Sequence, residues 1–109
     1  MYTVVKKLVI SAAHCLHLAH ESICENLHGH NYVIIVYLRS ETLDINGMVF
    51  DFTEIEEIIN AKLDHKNLND IFEKPTTENI AKYICDILGE KCFKVEVNES
   101  ENDKVIYEK

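Results

Sequence analysis

The sequence predicts an α+β domain in which one antiparallel sheet packs against a pair of helices. Segments rich in Val, Ile and Tyr lie near both ends of the chain, and such residues favour strands. Two segments with a helical spacing of apolar residues lie between them. The element order is therefore ββααββ, and 109 residues are enough for one such domain, spanning residues 1–109.

The strands are predicted from runs of β-branched or alternating residues. The first covers residues 2–12 and the second covers residues 28–39, where the strand signal is strongest. Residues 93–98 alternate between apolar and polar side chains, as in a half-buried strand, and residues 105–107 form a short last strand. The side chains expected to point inward from the third strand are Phe93, Val95 and Val97.

The helices are predicted from capping signals followed by apolar stripes. Thr53-x-x-Glu56 is typical of a capping box at the start of the first helix. The stripe that follows it consists of Ile55, Ile58, Ile59 and Leu63. Residues 75–77 begin the second helix, and Gly89 lies where a C-terminal cap belongs. The shared apolar face of this helix consists of Ile80, Ala81, Ile84, Cys85 and Leu88.

Composition excludes several classes of function. The net charge is −8 and the chain has no Lys/Arg run, so polynucleotide is not an expected partner, because non-specific affinity for nucleic acid comes from neutralised phosphates. No apolar stretch approaches the roughly 20 residues that span a bilayer, and no signal peptide precedes the first strand. Four cysteines without CxxC spacing indicate thiols or a metal ligand rather than disulfides. We expect a soluble cytoplasmic protein.

The predicted sheet has open edges, and open edges invite pairing with another chain. The two helices can cover only one face of the sheet, so the other face also needs burial. We therefore expect an oligomer in which the sheets of several subunits join edge to edge.

A cluster of histidines carries the sharpest chemical signal. His28-Gly29-His30 lies at a strand start, where residues i and i+2 project to the same face. His14, at the end of the first strand, is the natural third ligand, although His20 could take its place. Three imidazoles leave a fourth coordination position open, which is typical of a catalytic zinc site. The alternative is a set of ordinary surface or core histidines, since HxH is a short pattern.

Three further positions suggest acid–base or binding chemistry. Cys24 is either a fourth metal ligand, a thiolate beside a bound cation or a small buried side chain. Asp64-His65 follows the first helix and forms either a proton-transfer pair or a helix end with a dipole-stabilising His. Glu99 continues the inward parity of the third strand, where its carboxylate either accepts two N–H bonds from an amidine-like ligand edge or is solvated.

Motif-like segments occur in a fixed order along almost the whole chain. They are Ser11–His14, Cys24–Tyr32, Met48–Phe52, Leu63–Asn69, Pro75–Asn79 and Val95–Glu99. Their content and order resemble the 6-pyruvoyltetrahydropterin synthase / 6-carboxytetrahydropterin synthase family. The resemblance implies a tunnelling fold, in which ββααββ subunits join their sheets into a barrel, usually as trimers stacked into a hexamer.

The same resemblance implies roles for individual residues. It implies zinc ligands at His14, His28 and His30. It also implies a catalytic base at Cys24, a second proton-transfer pair at Asp64 and His65, which can serve the zinc of a neighbouring subunit, and a pterin anchor at Glu99. One departure is Cys15, which stands where members of the family often have Arg.

The substrate implied by the family is 7,8-dihydroneopterin triphosphate. The four-residue step from Cys24 to His28 and the compact length resemble the 6-carboxytetrahydropterin synthases of the queuosine and deazapurine route, which release acetaldehyde and triphosphate. One alternative is 6-pyruvoyltetrahydropterin synthase, which eliminates triphosphate and keeps the three-carbon side chain. Another is a non-catalytic zinc- or pterin-binding module of the same fold.

Overall fold

The computed structural model describes residues 1–16, 19 and 26–109. It contains a four-stranded antiparallel sheet in the order β1-β2-β3-β4 and two helices, so the predicted ββααββ order is confirmed. The elements are β1 (Tyr2–His14), β2 (His28–Ser40), α1 (Phe52–Leu63), α2 (Thr77–Ile87), β3 (Cys92–Asn98) and β4 (Lys104–Glu108). A 3-10 turn, Leu68–Asp70, lies between the helices. None of the helices in these ranges is long and apolar enough to cross a membrane.

The β1–β2 pair is the longest ladder in the sheet and sets the geometry of one end of the molecule. The two strands pair along their whole lengths, from Tyr2 opposite Ser40 to His14 opposite His28. Because the side-chain period of a strand is two residues, this register places His14, His28 and His30 on the same face of the sheet. That face is the one covered by the helices.

The core lies between the helices and this face of the sheet. The stripe of α1 is confirmed by the burial of Ile55, Ile59 and Leu63. The predicted face of α2 is buried as well, and each fully buried Ile or Leu contributes about 1.5–3 kcal/mol to stability. The opposite face of the sheet exposes about half of the surface of Val5, Val9 and Ile106 in the single chain. An oligomer that covers these side chains stays a prediction.

The predicted cap of α1 is wrong by two residues. Asp51 is the N-cap, with an extended backbone and a carboxylate that accepts a hydrogen bond from the Thr53 backbone N–H at 2.8 Å. Thr53 therefore lies inside the first turn, because Asp51, two residues earlier, supplies the side-chain acceptor. The cap of α2 agrees with the prediction, since Thr76 accepts from the Asn79 N–H and Gly89 has a φ of 89°, which glycine adopts readily.

The predicted inward position of Phe93 is also wrong. The register of β2 against β3 shifts between Tyr37 and Leu38, so that Cys92, not Phe93, pairs with Leu38. This bulge turns Cys92 into the core and sends Phe93 to the opposite face, where its ring lies 4.2 Å from the Arg39 guanidinium. Beyond the bulge the alternation resumes, and the inward prediction for Val95 and Val97 is confirmed.

Candidate metal centre

Three histidines meet where β1 ends and β2 begins. Their ligand atoms all lie within 4.8 Å of one another, and His14 Nε2 is 3.0 Å from His28 Nε2. His14 is fully buried, while His28 and His30 are partly exposed. The structure therefore brings together the three side chains that the sequence picked out as one ligand set.

The hydrogen bonds of two rings fix which nitrogen faces the centre of the cluster. His14 Nδ1 donates to the Pro75 carbonyl at 2.8 Å, and His28 Nδ1 donates to the Asn26 carbonyl at 2.6 Å. A carbonyl only accepts, so in each neutral ring the proton is on Nδ1 and Nε2 carries a bare lone pair. Two such lone pairs 3.0 Å apart repel each other unless a cation lies between them. Metal-binding histidines are commonly oriented by this kind of Nδ1–H bond.

His30 adds a third imidazole ring to the cluster. Its Nε2 is buried and has no hydrogen-bond partner among the described residues. Burial lowers the pKa of His30, and the neighbouring rings of His14 and His28 lower it further, while Glu99 acts in the opposite direction. The ring is therefore neutral near pH 7, which is the state that binds a metal. The orphaned nitrogen and the facing lone pairs fit a divalent cation held by the three histidines.

Glu99 reaches into the same cluster. It lies just beyond the end of β3, and its backbone N–H donates to the Asp103 carbonyl at 3.0 Å, which closes the β3–β4 turn. One carboxylate oxygen, Oε1, is 3.4 Å from His14 Nε2 and 3.5 Å from His30 Nε2. The side chain thus points inward, on the parity expected from the sequence.

Tyr32 forms the floor of the cluster and was missed by the sequence analysis as a functional residue. It is fully buried, its hydroxyl is 3.3 Å from His14 Nδ1, and its ring meets that of His30 edge-on with centroids 5.4 Å apart. Burial, reinforced by the charge of Glu99, raises the pKa of this phenol well above its ordinary value, so it stays protonated. The sequence does contain a signal for this position, because Tyr32 lies two residues after His30 and therefore on the same strand face.

Asp64 and His65 occupy a different place. They follow α1 and run along the edge of β1, where Asp64 Oδ1 accepts from the Ser11 N–H at 2.9 Å and the His65 N–H donates to the Ser11 carbonyl at 2.7 Å. The other carboxylate oxygen, Oδ2, is 3.6 Å from His65 Nε2. The His65 side chain is 82% exposed, and its backbone has a left-handed φ of 56°.

The imidazole of His65 belongs to a groove on the other side of the hairpin. That groove is lined on the strands by Ser11, Ala13 and Asn31, whose side chains alternate with those of His14 and His30 and point away from the cluster, and His30 also borders the groove. Within one chain, the two groups of predicted site residues are therefore on opposite sides of the β1–β2 pair.

The cysteines divide into several environments. Cys24, the predicted base, lies outside the described residues, as do His17 and His20. Cys85 is buried, as predicted from its place on the apolar face of α2. Cys92 is buried too, and burial raises the pKa of its thiol to about 12. Cys15 is half-buried, and its backbone N–H and carbonyl are both bonded to the side-chain amide of Asn69, at 2.8 and 2.9 Å.

Comparison with known proteins confirms the resemblance seen in the motifs. The family model described as 6-pyruvoyl tetrahydropterin synthase matches residues 3–109. A putative 6-carboxy-5,6,7,8-tetrahydropterin synthase from Archaeoglobus fulgidus is 40% identical over 97 residues, which cover 85% of this chain and 82% of the relative. The 6-pyruvoyl tetrahydrobiopterin synthase of Dictyostelium discoideum is 39% identical over 97 residues, covering 77% and 72%.

The fold comparison leads to the same group of proteins. The solved structure of 6-pyruvoyl tetrahydropterin synthase from Caenorhabditis elegans matches with a TM-score of 0.79 at 29% identity, over 99% of this chain and 95% of that one. The agreement extends over both helices and the whole sheet, because so little of either chain is left uncovered. The chain belongs to the 6-pyruvoyl tetrahydropterin synthase family.

Proposed function

We propose that the protein is a zinc-dependent lyase that converts 7,8-dihydroneopterin triphosphate to 6-carboxy-5,6,7,8-tetrahydropterin, with release of acetaldehyde and triphosphate. The observation that carries the proposal is the convergence of three imidazoles whose ligand atoms lie within 4.8 Å of one another. A zinc ion held there would polarise the hydroxyl groups of the substrate side chain. Three nitrogen ligands are the number typical of catalytic zinc, which keeps one position open.

Glu99 is proposed to hold the pterin ring. The amino-pyrimidinone edge of a pterin presents two parallel N–H groups, and a carboxylate accepts both. Glu99 lies beside His14 and His30, and the substrate side chain is at the opposite end of the pterin ring, so the carboxylate must turn away from these two rings for that side chain to reach the three imidazoles. The carboxylate would then fix the orientation of the ring.

The proton transfers are proposed to use two groups on separate segments. Cys24, as a thiolate, takes a proton from the substrate side chain, since a nearby cation favours that ionised form. His65 passes a proton to or from the ring, and the Asp64 carboxylate, held by the Ser11 N–H, orients its imidazole.

The position of His65 supports an active site shared between subunits. Its ring is exposed and lies on the opposite side of the β1–β2 pair from the metal cluster of the same chain. We propose that it serves the metal site of a neighbouring subunit in a homohexamer built as a dimer of trimers. The apolar side chains on the uncovered sheet face, such as Val5 and Val9, give such an assembly surface to bury.

The choice between the two family reactions rests on the sequence. The four-residue step from Cys24 to His28 favours the carboxy product, and one relative with that name is 40% identical. The pyruvoyl synthase reaction is the second candidate, because a relative with that name is 39% identical. A carboxy product would place the enzyme before the reactions that build deazapurines such as queuosine.

The deciding experiment is incubation of the purified, zinc-loaded protein with 7,8-dihydroneopterin triphosphate, with the pterin identified by mass and acetaldehyde measured separately. We expect 6-carboxytetrahydropterin and acetaldehyde in equal amounts. A 6-pyruvoyl product without acetaldehyde would overturn the carboxy assignment. Binding of the pterin without any turnover would overturn the enzymatic function altogether.

A variant pair tests the proposed base. Cys24→Ala should lower turnover by about 10²-fold or more and leave the zinc content unchanged, because a general base contributes roughly that factor. Cys15→Ala is the matched control, since the hydrogen bonds of Cys15 come from its backbone and survive the change. Equal turnover of the two variants would show that Cys24 is not the base.

A further inference from the structure

Glu99 Oε1 lies next to two of the three candidate metal-ligand atoms. It lies 3.4 Å from His14 Nε2 and 3.5 Å from His30 Nε2, and those two rings and His28 supply the other candidate ligand atoms. In a tetrahedral zinc site with bonds of about 2.0–2.1 Å, neighbouring ligand atoms are about 3.3 Å apart. The spacing of Glu99 to both rings therefore matches the edge of a coordination tetrahedron.

The electrostatics point the same way. The Glu99 carboxylate oxygen and the bare Nε2 of His14 both offer electron pairs, so their approach to 3.4 Å is unfavourable without a shared cation. Among the described residues, the basic side chains that approach the Glu99 carboxylate are those of His14 and His30, and no Lys or Arg forms an ion pair with it there. Zinc on three neutral imidazoles keeps a charge of +2 beside the fully buried ring of His14, and one carboxylate ligand halves that charge.

We propose that Glu99 is the fourth ligand of the metal in the resting protein and leaves it when a pterin binds. The first half concerns only the metal and residues of this chain. The second half rests on the proposed function, in which the same carboxylate accepts the N–H groups of the pterin. One carboxylate then closes the site when it holds no substrate and opens a coordination position as the substrate arrives.

The first experiment loads the full-length protein with Co²⁺, whose d–d absorption reports coordination number, and measures Zn²⁺ affinity by competition with a chromophoric chelator. Glu99→Gln should weaken Zn²⁺ binding about 10–100-fold and change the Co²⁺ spectrum. Glu101→Gln is the matched control, since it removes an exposed carboxylate from the same β3–β4 turn. Glu99→Gln with the affinity and spectrum of the wild type would overturn the proposal.

A second variant separates ligation from charge. Glu99→Asp keeps the negative charge but withdraws the carboxylate by one methylene group. If Glu99 binds the metal, Glu99→Asp should resemble Glu99→Gln in both affinity and spectrum. A wild-type affinity and spectrum for Glu99→Asp would mean that only the charge matters, and the proposed ligand bond would be wrong.

The release step has its own test. Neopterin, which lacks the triphosphate, is titrated into the Co²⁺-loaded wild type, and its spectrum should move toward that of Glu99→Gln. If Glu99→Gln alters the metal site but neopterin leaves the wild-type spectrum unchanged, the release step is overturned and the resting ligand stands. Failure of the proposed enzymatic reaction would appear separately, as an absence of product with an intact spectral change.

Discussion

The two halves of the candidate active site are built in opposite ways. The histidine cluster lies on the helix-covered face of the sheet, with His14 fully buried and its ring fixed by the Pro75 carbonyl. Asp64 and His65, the proposed proton-transfer pair, lie on a connection at the edge of β1, where His65 is 82% exposed and has a left-handed backbone. The three candidate metal ligands come from one chain, whereas the exposed His65 faces outward.

This difference separates two physical tasks. Metal ligands must hold their positions closely, and a paired strand with an oriented imidazole achieves this before the ion arrives. A proton-transfer group must instead meet a substrate that comes from outside its own chain. Only its backbone is anchored, through the bonds of Asp64 and His65 to Ser11.

The largest expected effect tests whether metal binding belongs to one half alone. His28→Ala should weaken Zn²⁺ binding about 10²–10³-fold, because roughly 3–4 kcal/mol of binding free energy is lost with each ligand of a zinc site. His65→Ala should leave the affinity unchanged. Chelator competition measures both variants. An equal loss of Zn²⁺ affinity in His28→Ala and His65→Ala would contradict the division into two halves, because His65 would then also hold the ion.

The next effect concerns Asp64, which has both a structural and a chemical role. Asp64→Asn keeps an oxygen acceptor for the Ser11 N–H but loses the charge beside His65, so turnover should fall about 10–100-fold with little change in stability. Asp64→Ala should lose the same turnover and, in addition, about 1 kcal/mol of unfolding free energy. Steady-state kinetics and urea unfolding separate the two losses. Wild-type turnover in Asp64→Asn would show that its charge is not used.

The smallest effect is a gain in stability. His65 has a φ of 56°, a conformation that costs an L-residue more than glycine. His65→Gly should therefore raise the unfolding free energy by about 0.5–1 kcal/mol, after the entropy of the unfolded glycine is subtracted, and it should abolish the proton transfer. His65→Ala, which keeps the strained backbone, is the control in urea unfolding. A destabilised His65→Gly would mean that the imidazole itself supports the fold.

Local rules of the chain were enough to predict much of the fold and the clustering of His14, His28 and His30. HxH places two rings on one strand face, and His14 joins them because an antiparallel hairpin brings one strand end beside the next strand start. The stripes of both helices followed from a 3.6-residue period. These features depend on spacing within a segment, or on one short connection, and sequence patterns report such spacing directly.

Tertiary details were beyond those rules. Phe93 does not point inward as predicted, because a bulge interrupts the alternation of side chains. That bulge depends on how β2 pairs with β3. Asp51 rather than Thr53 is the N-cap of α1. Both side chains can accept a backbone N–H, and the helix begins after the earlier one. Neither the Pro75 carbonyl nor the Tyr32 hydroxyl was predicted as a partner of His14, since both contacts exist only after distant segments pack.

The bond between His14 and Pro75 joins residues 61 positions apart and lies immediately before the N-cap of α2. The ring of His14 is therefore aimed correctly only when that helix has docked on the sheet. A nascent or unfolded polypeptide lacks this orientation and competes poorly for the ion. We therefore expect metal loading to follow folding and a bound ion to disfavour undocking of the helix, so that retention of the ion depends on the lifetime of the native state.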